Sequence, residues 1–248
     1  MPSGNLISKL RGFFPVSDEL RGDLDRLVSE RVTLNAGEYL VTAGDRFPHL
    51  YLVEDGWMLR MRHMPDGGRQ IISIALAGDF LCYGMLMFER SEFDVMAKTP
   101  AALWKLEVND FRPMMARYPG LAEALVWSNA HEEALLAERV VSLGRRDATQ
   151  RLAHVLCEIV SRLELIDAHD GAGMVSLPLI QDDFADILGI SAIHVLRTFK
   201  RLTELGAVEY RSRRLVLLDT EKLKRIAGFE DEYLHYSRRK DALPPFVG

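Results

Sequence analysis

Apolar and polar positions divide the chain into stretches of different period. Residues 17–31 open on Ser17 ahead of a glutamate and space their leucines helically, which predicts a short helix. From about Val32 to Leu106 the pattern shortens into runs rich in Val, Ile, Leu and aromatic residues: YLVTAG, HLYLVEDGWMLRMRHM, RQIISIALAGDF and AALWKLE. Turn signals separate them at Ala36-Gly37, Asp55-Gly56, Pro65-Asp66-Gly67-Gly68 and Ala77-Gly78-Asp79. Strands at this spacing predict a small β-sandwich or barrel. An open sheet with interleaved helices fits less well, because no helix-length periodic segment interrupts the region.

After Val108 the helical period takes over. Asn109 is a suitable N-cap, and Pro119-Gly120 interrupts the run. Between Leu121 and Leu143 there is no Pro or Gly, and apolar positions recur at Leu121, Leu125, Leu135, Leu136, Val140 and Leu143. At about 1.5 Å per residue this predicts a helix of roughly 35 Å. Such a helix packs either within its own domain or against a twin in a dimer; composition leaves both open. Gly144 is read as its end, followed by a second helical run, ATQRLAHVLCEIVSRLELI. Residues 167–175 read as a polar glycine-containing loop, and DALPPFVG as a terminal tail.

The most informative stretch is 180–206, IQDDFADILGISAIHVLRTFKRLTELG. A short helix over 181–188 stops at Gly189, and a second starts behind the capping hydroxyl of Ser191, which is the helix-turn-helix shape. At about 100° per residue, Val195, Phe199 and Leu202 share one face and predict a core anchor. The opposite face presents Ile193, Arg197, Lys200 and Glu204, flanked by His194 and Arg201. Arginine pairs with guanine in two hydrogen bonds, isoleucine touches a thymine methyl, and Lys200, Arg201 and His194 reach phosphates. The next residues, AVEYRSRRLVLLD, predict a β-hairpin wing whose turn carries Arg211, Arg213 and Arg214. Two helices and a hairpin with an ordinary polar surface are the plain alternative; the ordered series of glycine, cap, core triplet, basic face and basic hairpin favours DNA.

Composition adjusts this picture in three places. A length of 248 residues suits two domains. The net charge of −5 looks wrong for a nucleic-acid binder, but the excess acid lies within residues 1–138. Residues 191–214 hold six basic residues against two acidic ones, enough to attract phosphate locally. The two cysteines, Cys82 and Cys157, form no CxxC pair, which fits a reducing cytosol. No apolar run reaches the roughly 18 residues of a membrane span, and MPSGNLISKLRGFF lacks a secretory pattern, so the expected location is cytoplasmic.

On GDF at Gly78–Phe80, AKT at Ala97–Thr99, the Leu121–Leu143 helix, DATQRLAHVL and ISAIHVLRTFKRL, in this order, the chain resembles the bacterial Crp/Fnr superfamily along nearly its whole length. The resemblance implies an α+β protein: a cyclic-nucleotide-binding-like sensor β-roll over 1–118, a dimerisation helix over 119–143, and a winged helix-turn-helix over 144–248. It implies a homodimer on a roughly palindromic promoter site with half-sites about one helical turn apart. It also implies a hinge at Leu143-Gly144 and RNA polymerase as a further partner.

Departures from the family pattern bear on the effector. Cyclic-nucleotide binders resembling this fold hold the phosphate with an Arg-Ser pair and the ribose with a Gly-Glu pair. Ser91-Glu92 and Cys82-Tyr83 stand there, so a phosphate would lose its guanidinium and meet a carboxylate. The hydroxyl residues that would meet the base fall on Leu136 and Ala137. Cys82, Tyr83, Ser91, Glu92 and Leu136 thus line the expected effector pocket, while cyclic AMP is disfavoured. The N-terminal cysteines of an Fnr-type iron–sulfur cluster are missing too. Ile193 replaces the glutamate that many relatives aim at bases, so only Arg197 carries over, and Ile180 takes the usual Ser/Thr cap position.

Other constellations read plainly. His63, His131, His154 and His169 show no metal-ligand spacing, although a haem-responsive regulator stays open within the superfamily. Cys82 reads as a small core residue before a redox-sensing thiol. No nucleophile–base pair, metal motif or phosphate loop supports an enzyme. The rival reading is a sensor module whose winged helix binds proteins.

Overall fold

Alternation with a period of two builds the N-terminal half. In β3 (His49–Asp55), Leu50 and Leu52 point to one side and Tyr51 and Val53 to the other, and all four are buried. A strand apolar on both faces needs cover on both. Its first sheet runs in the order β1 (Val28–Leu34), β8 (Ala101–Glu107), β3, β6 (Phe80–Leu81); the second runs β2 (Tyr39–Val41), β7 (Asp94–Ala97), β4 (Met58–His63), β5 (Arg69–Ala75). Tyr51, Val53 and Leu103 of the first sheet share a core with Met58, Ala75 and Val95 of the second. The other side of the first sheet, with Leu50, Leu52 and Leu106, is covered by Phe111 and Met114 of α2 (Val108–Arg117) and by Leu121 and Leu125 of α3 (Pro119–Arg145). These features come from a computed structural model that describes residues 17–46, 49–166 and 174–234. The sandwich expected from the strand pattern is present. Gly56 closes the β3–β4 turn at φ 92°, where a Cβ would stand 2.6 Å from the Pro100 carbonyl oxygen, so only glycine fits.

Several boundaries differ from expectation. The first helix, α1, spans Asp18–Leu27, shorter than 17–31, because Val28–Leu34 pairs antiparallel with β8. Glu107, not Asn109, occupies the N-cap of α2. Pro119 starts α3, a position where its missing N–H costs nothing. That helix runs through Gly144 to Arg145. The chain breaks instead at Arg146-Asp147, because Asp147 caps α4 (Ala148–Leu165) in a reciprocal box: its carboxylate accepts from the Gln150 amide at 2.9 Å, and the Gln150 side chain accepts from the Asp147 amide at 3.0 Å.

Contacts divide the chain into two compact units. Of the described residues, the first takes those up to Arg62 with Ser73–Glu133, and the second takes His63–Ile72 with those from Ala134 to Leu234. The second is built around α4, which is buried without interruption from Leu152 to Val160. Around it lie α5 (Gln181–Leu188), α6 (Ala192–Glu204) and α7 (Thr220–Ala227), with a small sheet in the order β10 (Val208–Arg211), β11 (Arg214–Leu217), β9 (Met174–Ser176). Met174 and Val175, expected in a loop, pair with Val216 and Leu215 and make the wing three-stranded. The rest of that loop, residues 167–173, and the DALPPFVG tail lie outside the described residues.

Candidate nucleic-acid interface

The helix pair is held by local chemistry at each end. Ile180 contributes no side-chain cap to α5. Asp183 compensates from the third helical position, its carboxylate accepting the Ile180 amide at 2.7 Å. Gly189 closes the helix at φ 64°, the left-handed conformation a C-terminal glycine provides. Ser191 opens α6, its Oγ accepting the His194 amide at 3.3 Å. Val195, Phe199 and Leu202 are buried as expected, and Thr198 joins them, donating its hydroxyl to the His194 carbonyl at 2.8 Å. Phe199 stacks on Tyr210 of β10 at 4.4 Å and meets Phe184 of α5 edge-on at 5.2 Å. The Tyr210 hydroxyl donates to the Leu179 carbonyl at 2.8 Å. This aromatic group locks both helices and the wing together.

Two arginines outside the motif add to its placement. Arg151 donates to the Leu143 carbonyl at 2.8 Å and to the Leu188 carbonyl at 3.2 Å, so one cation serves the C-terminal ends of α3 and α5. Arg69 reaches α5 from the other side, 2.8 Å from Asp183 and 2.5 Å from Asp186. Beside it Gln70 donates to the Asp186 carbonyl at 2.5 Å. Both residues belong to the second unit. No local pattern announces the Arg69 pairs, since over a hundred residues separate the partners.

The outward surface of α6 is as expected: Ser191, Ile193, His194, Arg197, Lys200, Arg201 and Glu204 are all exposed. Leu196, which neither the core face nor the basic face accounts for, is exposed with them. Glu204 lies 4.0 Å from Lys200 and 3.7 Å from Arg201. Arg197 has no carboxylate partner of this kind among the described residues. The wing turn is two residues long, Ser212 and Arg213, between paired Arg211 and Arg214. Both turn residues hold positive φ, 51° and 62°. Neither is the Asn or Gly such a turn prefers, so Arg213 is held at the tip at a conformational cost. The helix face thus exposes Arg197, Lys200 and Arg201, and the wing tip exposes Arg213, side chains of the kind that contact phosphates.

Comparison with known proteins fits this geometry. Residues 150–226 match the Crp-like helix-turn-helix domain and residues 31–118 the cyclic nucleotide-binding domain. The nitrogen fixation regulation protein FixK of Bradyrhizobium diazoefficiens is 30% identical over 201 residues, 81% of this chain and 83% of that one. The chain belongs to the Crp/Fnr family of transcription regulators. The transcriptional activator protein FnrL of Cereibacter sphaeroides is 26% identical over 200 residues, 79% of this chain and 80% of its own. Among solved structures, FixK2 from Bradyrhizobium japonicum superposes with a TM-score of 0.73 at 23% identity, covering 81% of this chain and 98% of that one.

In this Crp/Fnr regulator the residues expected to line the effector pocket stand as follows. Cys82 adopts φ 64° ahead of the 3₁₀ turn Tyr83–Leu86 and is partly buried against the inter-sheet core. Burial pushes its thiol up to about 12, far from the thiolate a reactive cysteine needs. Tyr83 belongs to that 3₁₀ turn. Ser91 donates its hydroxyl to the Phe93 carbonyl at 2.6 Å and accepts the Phe93 amide at 3.2 Å, closing its own turn. Glu92 is exposed, and Leu136 is partly buried on α3. A cation the sequence did not single out, Arg60 of β4, binds Glu132 of α3 at 2.5 Å and lies 4.9 Å over the Phe93 ring. His154 is buried between Glu138 at 3.2 Å and the rings of Phe229 and Tyr233. Its pKa falls to about 3, because burial and then Arg146 and Arg139 disfavour the imidazolium. Among the described residues no group of three or more His, Cys, Asp or Glu is placed to hold a metal, and no helix is long and apolar enough to cross a membrane.

Proposed function

We propose that this regulator is a cytoplasmic, sequence-specific DNA-binding homodimer that inserts α6 of each protomer into the major groove of a palindromic promoter site. One observation carries the reading: α6 buries Val195, Phe199 and Leu202 while exposing Arg197, Lys200 and Arg201, and the adjoining hairpin exposes Arg213 at its tip. Within the motif, Ser191, Ile193 and His194 face the bases and nearby backbone, and Arg211, Arg213 and Arg214 follow the phosphates.

Pairing through α3 is supported by the spacing of its exposed positions. Val126, Ala130, Glu133, Ala137 and Val140 are all exposed and follow steps of four and three, the seam of a two-stranded coiled coil. Val126 and Val140 are each 70% exposed in the single chain, which water disfavours and a twin helix relieves. Residues 1–118 act as the sensor, 119–143 as the pairing helix and 144–248 as the reader.

The sensor works without cyclic AMP. Ser91 donates its hydroxyl into its own turn, Glu92 takes the sequence position where the resembling cyclic-nucleotide binders carry a phosphate-binding residue, and the Arg60 guanidinium is already bound by Glu132. Steep salt dependence of binding to a selected duplex tests the function. Equal affinity for all sequences, or shallow salt dependence, refutes it and favours a winged helix used for protein contacts.

A further inference from the structure

Exposed cations explain why α6 meets DNA, but its most unusual feature is apolar. Ile193 is 64% exposed and Leu196 47% exposed. Single apolar side chains on a surface need no explanation. These two lie three residues apart, about 60° around the helix, and so form one patch. It sits on the half of α6 nearest its N-terminus, the end that meets base edges in this motif. Arg197 and Lys200 border it on the same outward arc. Cations there attract phosphate whatever the sequence; an apolar patch between them gains nothing from phosphate or from the hydrogen-bonding edges of bases. The major groove offers one apolar group among unmodified bases, the C5-methyl of thymine. Three residues apart on one helix face, Ile193 and Leu196 have Cβ atoms about 5–6 Å apart, close enough for their side chains to reach methyls on neighbouring base pairs.

We propose that Ile193 and Leu196 read two neighbouring thymine methyls in each half-site, beside a guanine held by Arg197. The inference rests on α6 being the reading helix and adds what that helix selects. Leu196 is thereby a specificity residue alongside Ile193, and the patch reads shape and apolarity where a carboxylate at position 193 would read an amino group.

Deoxyuridine provides a test at the level of one carbon, since it differs from thymidine only by the methyl. Full-length protein is used to enrich duplexes from a random pool, and each thymine of the enriched site is then replaced in turn by deoxyuridine. Burying one carbon corresponds to about a fourfold change in affinity. Two positions per half-site are expected to lose about fourfold each, and symmetric replacement in both half-sites about fifteenfold. Other thymines should change affinity less than twofold. Ile193→Ala should abolish discrimination at one of the two positions and Leu196→Ala at the other. Both side chains are exposed, so these variants should keep the wild-type melting temperature.

Wild-type protein that binds the fully uracil-substituted site as tightly as the thymine site overturns the proposal. So does discrimination that survives unchanged in the Ile193→Ala/Leu196→Ala double variant. If an enriched site still depends on Arg197 in either case, methyl reading fails while α6 stands as the reading helix. A pool that enriches nothing, or binding indifferent to Arg197→Ala, overturns both.

Discussion

Replacing Arg69 with methionine isolates one contact that no local sequence pattern reveals. Asp183 is completely buried in α5, and its carboxylate lies 2.8 Å from Arg69. Methionine keeps much of the apolar stem but removes the charge. Breaking a buried pair costs about 3–5 kcal/mol, because the remaining ion stays desolvated. Arg69 is itself 24% exposed, and Asp183 keeps the Ile180 amide, so water and backbone recover part of the loss. An expected cost of about 2 kcal/mol follows. For a unit of this size that lowers the melting temperature by about 8 °C. Calorimetry on the full-length protein at fixed pH and concentration measures the shift, and fixed concentration matters because dimerisation adds stability by mass action. Asp183→Asn in the Arg69→Met background should cost less than Asp183→Asn alone, since no buried charge is then left unpaired. The expected coupling is about 1–2 kcal/mol. A shift below 1 °C for Arg69→Met, or a coupling of zero, refutes the argument and reduces the pair to an incidental surface contact.

Other perturbations address the reader and the interior. Arg197→Ala should weaken binding to the selected site by about 1–3 kcal/mol and relax preference at one base pair, as quantitative gel-shift titration would show; intact selectivity would contradict the assignment. Ser212→Asn with Arg213→Gly should relieve positive-φ strain and stabilise the wing by about 1 kcal/mol, while the salt slope of DNA binding falls by about one unit per lost phosphate contact. His154 titrates near 3 when folded against about 6.5 when unfolded, so between those values the unfolded chain binds the extra proton. Its contribution is complete above pH 6.5 and is lost as pH falls toward 3; about 2 kcal/mol should be gone at pH 5. Denaturant midpoints between pH 8 and 5 test this, and a His154→Gln profile as steep as wild type would place the sensitivity elsewhere.

The helix-turn-helix was legible because everything that makes it is local. Gly189 leaves the helix through a left-handed conformation, Ser191 caps the next turn, and Val195, Phe199 and Leu202 meet the core through a 3.6-residue period. The β-sandwich was legible as a class for the same reason, since a period of two identifies strands. Boundaries were less legible where competing signals met: Gly144 looked like a helix end, yet the Asp147–Gln150 box and the Arg151 guanidinium move the break two residues on.

Primary structure by itself therefore determined the elements, their apolar faces and the cationic side of α6, all set by interactions within a few residues. Tertiary structure alone decided which strands are neighbours, that Arg60 meets Glu132, that Arg69 meets Asp183, and that Leu196 stays in water while Thr198 does not. Those outcomes depend on chain closure over tens to more than a hundred residues. Such partners impose no periodicity on the stretches between them, so composition and spacing carry no trace of the pairing.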